Sequence, residues 1–87
     1  MSYVPDLPHD VRRFVGSLPL ELQEALLDRL DEIAAERGPS TPFGQELVSD
    51  FVHAIGATKH YVFIVFRRDE FVEVVHVRSI GHVVRTA

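Results

Sequence analysis

The chain has 87 residues, room for one compact core and not for two domains. Apolar residues make up 46%, which excludes a disordered chain, and the absence of cysteine excludes disulfides and thiolate metal sites. The net charge of −4 is uneven: residues 1–52 carry four arginines against ten acids, whereas residues 53–87 carry Lys59, Arg67, Arg68, Arg78 and Arg85 against three, so an anion-binding surface is expected on the C-terminal half.

The start, Met1-Ser2-Tyr3-Val4-Pro5-Asp6, lacks the basic region and long apolar stretch of a secretion signal. The longest apolar run, Tyr61 to Phe66, is too short to span a bilayer. A cytoplasmic protein without membrane contact is the expectation. Asp6 is placed to cap a first helix over about 7–16, with Pro8 in its first turn and Val11, Phe14 and Val15 on one face. Gly16-Ser17 ends it. A second helix over about 19–37 starts at Pro19, carries Glu21 and Glu24 near its positive end, and aligns Leu22, Leu26, Leu30 and Ile33 as an apolar stripe. Arg37, Gly38 and Pro39 form its stop, and 38–44 reads as a loop.

From Leu47 the helical period gives way to strand composition. Strands are expected at about 47–55, 60–67 and 71–78, rich in Val, Ile, Phe and Tyr, with turns at 56–59 and 68–70 and a tail over 79–87. Tyr61 to Phe66 is apolar on both faces, which predicts a central strand covered on both sides, the second side by the tail or another chain. Arg67 and Arg68 read as a solvated hairpin tip. The fold class is therefore α+β, with two N-terminal helices packed on a small antiparallel meander in a single domain.

A three-residue loop at 68–70 sets a register in which Arg67 faces Phe71, Val62 faces His76 and His60 faces Arg78. His53 joins that face if Ile55 pairs with His60. His53, His60, His76 and Arg78 then cluster at one end, with Lys59 beside them and His82 and Arg85 on the tail. Three chemistries fit such a group. Two histidines with basic neighbours suit cleavage of an RNA phosphodiester: one deprotonates the 2′-hydroxyl, another protonates the leaving 5′-oxygen, and a guanidinium holds the phosphate. Histidines also suit zinc, but no cysteine is available and Asp50 is expected on the other face, so no metal and no cofactor is expected. Strand-end histidines that only cap and hydrogen-bond are the third.

The order of parts resembles the RelE/ParE superfamily of bacterial toxins. The resemblance rests on Ser17-Leu18-Pro19 leading into Leu22–Ile33, on His60-Tyr61-Val62-Phe63-Ile64-Val65-Phe66, and on Val74-Val75-His76-Val77-Arg78 followed by Ser79-Ile80-Gly81-His82-Val83. It covers about Val11 to Val83. The family's first strand is reduced here to Tyr3-Val4 and interrupted by Pro5. What the resemblance implies is the toxin of a type II toxin–antitoxin pair, neutralised by a cognate antitoxin protein, as a homodimer or a toxin–antitoxin hetero-oligomer. The family's two activities are ribosome-dependent mRNA cleavage, the leading expectation, and non-enzymatic inhibition of DNA gyrase; a non-toxic binding module with the same fold is a third possibility. Arg78 matches the basic residue at the end of the last strand, Lys59 and His60 the basic positions before the central strand, and His82 the catalytic tail region. The expected catalytic set is thus His60, His76, Arg78 and His82, with His53, Lys59 and Arg85 binding substrate.

Overall fold

The computed structural model describes residues 4–36, 45–69 and 71–86. In chain order these form β1 (Val4–Asp6), α1 (His9–Gly16), α2 (Leu20–Ala35), β2 (Leu47–Ile55), β3 (Thr58–Asp69) and β4 (Val74–Thr86). The expected meander β2–β3–β4 is antiparallel, and β1 adds to it in parallel, giving the sheet order β1-β4-β3-β2. Both helices lie in the connection that follows β1. Tyr3, the Arg37-Gly38-Pro39 stop, the loop 38–44 and Glu70 fall outside the described residues.

Neither helix is capped by a side chain. Pro8 and Pro19 are themselves the residues before the first turns, with φ of −57° and −54°. Asp6 belongs to β1 instead of capping α1. Pro19 stands one position earlier than expected. The Gln23 side chain fastens the bend between the helices by donating to the Leu18 carbonyl (2.8 Å).

The core lies between the helices and one face of the sheet, the inner face. Leu22, Leu26, Leu30 and Ile33 of α2, with Val11 and Leu18, meet Val62, Ile64 and Phe66 of β3 and Val75 and Val77 of β4. Burying one such side chain contributes about 1.5–3 kcal/mol. The outer face has no cover among the described residues, contrary to the expectation of a doubly covered strand. Val48, Val52, Phe63 and Val83 are exposed there, and Tyr61 and Val65 half-buried. The reason is topological: both helices pack on the same side.

The registers also differ from expectation. The β2–β3 turn has two residues, Gly56-Ala57, with Gly56 at φ 58°, so Ile55 faces Thr58 and His53 faces His60. A shift of two residues keeps parity, so His53 still shares a face with His60. The β3–β4 hairpin moves further. Its ladder continues through Arg68 and Asp69 to Val74, so Arg67 faces His76. Three contacts explain this. Arg68, expected at a solvated tip, is 6% exposed, lies over the Phe66 ring, and binds Glu36 (2.6 Å) and the Ile33 carbonyl (3.3 Å) at the end of α2. The Asp69 carboxylate accepts from the Phe71 N–H (3.0 Å), and Glu73 takes a left-handed φ of 54° to turn the chain.

One residue of β4 has no partner on β3. Phe66 faces Val77 and Val65 faces Ser79, leaving Arg78 as the extra residue of a β-bulge. Beyond it the expected tail is not a tail: β4 runs on to Thr86 along the whole of β3. Because β1 pairs only with Val74–His76, this long remainder is an edge strand.

Candidate active site

The residues expected to form one cluster occupy two places. His76 sits between the buried Val75 and Val77, so its side chain points to the outer face. Its Nδ1 lies 3.6 Å from Asp6 and its Nε2 3.8 Å from Asp69. Arg78, at the bulge, binds Glu46 at 2.6 Å and does not meet His60. Together with Arg67 and Pro8 they line an open groove of about 400 Å³ in which His76 and Arg78 already face carboxylates. His76 and Arg78 stand opposite the Arg67 end of β3, roughly 20 Å along the strand from His60 at about 3.3 Å per residue. One phosphodiester cannot touch both places. The cause of the error is the length of the hairpin loop.

The other place assembles three of the predicted histidines on the inner face. His60 is 7% exposed, and its Nδ1 is 2.8 Å from Nε2 of His82. The ring centroids are 5.1 Å apart and the planes 10° from parallel. With the two nitrogens between the centroids, the rings meet edge to edge in a shared plane, as a hydrogen bond requires, and not face to face. On the opposite side of His60, Nε2 lies 3.2 Å from the Thr58 hydroxyl, which donates to the Ile55 carbonyl at 2.8 Å. His53 stands directly opposite His60 and donates from Nε2 to Glu21 (2.9 Å) in the first turn of α2.

The two predicted substrate-binding cations come together as well. Lys59 and Arg85 are cross-strand partners, and neither forms an ion pair among the described residues. Their side chains leave from the outer face, one residue from His60 and three from His82. β4 is an edge here, with Arg85 on its outer face and His82 on its inner face. His82 is half-buried, and burial, followed by the nearby His60, pulls its pKa below the usual 6.5. It is therefore neutral at pH 7 and can accept a proton.

Sequence reasoning missed Thr58 and Glu21. Thr58 reads as a turn residue, yet its place two before His60 puts both side chains on one face once the strand begins at 58. Glu21 carries no such signal, because its contact depends on how α2 lies across β2. Among the described residues no three His, Asp or Glu side chains converge on a metal position, and no helix is long and apolar enough to cross a membrane.

No family model matches the chain, and no curated protein matches it. Among solved structures it is similar to the E. coli toxin RelE, in a variant with two arginines replaced by alanine, in the free state. The match has a TM-score of 0.66 at 18% identity and covers 93% of this chain and 83% of that one. The fold is RelE-like, as the resemblance implied.

Proposed function

We propose, with the RelE-like fold as premise, that this chain is the toxin of a type II toxin–antitoxin pair and stops translation by cutting mRNA on the ribosome, restrained by a cognate antitoxin protein. The observation that carries the reading is the hydrogen-bonded chain Thr58–His60–His82, which ends in a half-buried, neutral imidazole beside the free cations Lys59 and Arg85. Nδ1 of His82 takes the proton of the ribose 2′-hydroxyl, and the 2′-oxygen attacks the adjacent phosphorus. A 2′,3′-cyclic phosphate forms as the bond to the 5′-oxygen breaks. That oxygen takes a proton from water, and the hydroxide left behind is neutralised by the proton His82 releases. Lys59 and Arg85, on the outer face of the same strands, hold neighbouring phosphates of the RNA as it passes round the edge strand, in place of the Arg78 to which the sequence assigned phosphate binding.

The test is mRNA integrity in a cell-free translation reaction to which the protein is added. Cleavage in wild type is expected, together with near wild-type cleavage in Arg78→Ala, because Arg78 is held by Glu46 far from the histidine pair. Strong loss of cleavage in a folded Arg78→Ala protein would move the active centre to the other groove.

A second reading has one observation in its favour. The uncovered outer face, with Val48, Val52, Phe63 and Val83 exposed, suits a protein target such as DNA gyrase better than RNA. Under that reading mRNA stays intact, supercoiling by gyrase is inhibited, and toxicity survives His82→Ala.

A further inference from the structure

The geometry points to Thr58 as a positioning residue whose hydroxyl fixes the tautomers of both His60 and His82 and so leaves Nδ1 of His82 as the bare, proton-accepting nitrogen. The inference deepens the proposed RNA chemistry and rests on it for its catalytic consequence.

The argument starts from a donor that has no choice. The Thr58 oxygen is 2.8 Å from the Ile55 carbonyl oxygen, and a carbonyl can only accept. The single hydroxyl hydrogen is therefore spent there. The same oxygen is 3.2 Å from Nε2 of His60, so that contact is a hydrogen bond only if Nε2–H of His60 donates. A neutral imidazole carries one N–H, which leaves Nδ1 of His60 without a hydrogen. That nitrogen lies 2.8 Å from Nε2 of His82, which must then be the donor. Neutral His82 has its lone pair on Nδ1, the ring nitrogen turned away from His60.

The direction of the chain matters for its response to a proton. Added at Nδ1 of His82, a proton makes an imidazolium that still donates from Nε2, now with charge assistance. The bond between the rings is thus kept when His82 carries the proton. The other titratable and charged groups around the pair are His53 with Glu21 on the β2 side, and Lys59 and Arg85 on the outer side of the same strands. The turn supplies the anchor. Two residues separate Ile55 from Thr58, and Gly56 at φ 58° folds the chain so that the hydroxyl returns to the Ile55 carbonyl.

Thr58→Val keeps shape and removes the oxygen. Nε2–H of His60 then lacks an acceptor, and the alternative tautomer reverses the remaining bond between the rings, placing a hydrogen on Nδ1 of His82. Two-bond ¹H–¹⁵N NMR spectra of the neutral rings read this directly. Wild type is expected to show both rings as Nε2–H, Thr58→Val a shift of both toward Nδ1–H, and Thr58→Ser the wild-type pattern. Cleavage of RNA should fall about 10–100-fold in Thr58→Val through kcat with KM unchanged, and return in Thr58→Ser. Spectra showing His82 as the Nδ1–H tautomer in wild type, or tautomers that do not move in Thr58→Val, overturn the inference. Wild-type spectra as expected in a protein that leaves RNA intact would keep the tautomer chain and reject the proposed function.

Discussion

His82→Ala is expected to slow RNA cleavage by about 10²–10⁴-fold, the usual worth of a positioned general base, with little change in the fold. The side chain is half-buried at an edge strand, and its removal leaves Val62, Ile64 and the α2 stripe in place. Among the described residues the hydrogen-bond partner it abandons is Nδ1 of His60. Single-turnover cleavage by purified protein measures the loss, and circular dichroism checks the fold. The pH dependence provides a second signature. The rate in wild type should rise with pH and level off at a midpoint below 6.5, because burial and the nearby His60 lower the pKa of His82. Stability carries the matching sign. The unfolded chain binds this proton more tightly than the native one, so unfolding becomes easier as pH falls from 6.5 toward the lowered native value. Above 6.5 the contribution of this group is constant. An unchanged rate in a folded His82→Ala protein, or a rate that falls with pH across this window, sinks the assignment.

Glu36→Ala is expected to cost about 3 kcal/mol of stability, more than most surface substitutions, although Glu36 itself is exposed. The reason lies with its partner. Among the described residues, the Arg68 side chain is 5% exposed, its Nε has no hydrogen-bond partner, and beyond the carboxylate it has the Ile33 carbonyl and the face of Phe66. Removing Glu36 leaves a buried guanidinium with no counter-charge, a change that costs about 3–5 kcal/mol. The lower end applies because the carboxylate is 67% exposed and water can follow into its place. Arg68→Met should be much milder, near neutral, since it removes the charge and the orphaned Nε together while keeping the apolar stem against Phe66. Urea unfolding of the two variants compares them. An Arg68→Met protein less stable than Glu36→Ala would mean that the ion pair itself, and not the penalty of stranding one charge, holds the end of α2 to the sheet.

Periodicity made most of the fold legible. The stripe Leu22, Leu26, Leu30, Ile33 required a helix with one buried face, and the unbroken apolar run Tyr61 to Phe66 required a central strand, although not the cover expected on its outer side. Both follow from how side chains project, which depends on local geometry alone. Register was the part out of reach. Arg68-Asp69-Glu70 reads as a turn by composition, yet burial of Arg68 against α2 draws it into the ladder, a contact between residues more than thirty positions apart. That shift sent His76 and Arg78 away from His60, and with the bulge at Arg78 it brought His82 to it. His53 survived as a neighbour because the error in the first turn was an even number of residues. Lys59 with Arg85 and His60 with His82 are therefore pairings that β4 had to reach by extending through what composition marks as a tail.

The bulge at Arg78 lets the hairpin lose one residue and no more. Removing Arg78, or any one residue from Ser79 to Gly81 in its place, would restore a regular ladder and keep His82 and every residue after it opposite its present neighbour. Removing a second would exchange odd for even positions downstream, turning His82 outward and Val83 toward Val62. Among relatives of this chain, length variation between Val77 and His82 should therefore be limited to the single residue that the bulge holds, because any further change in count is a change in which side chain meets His60.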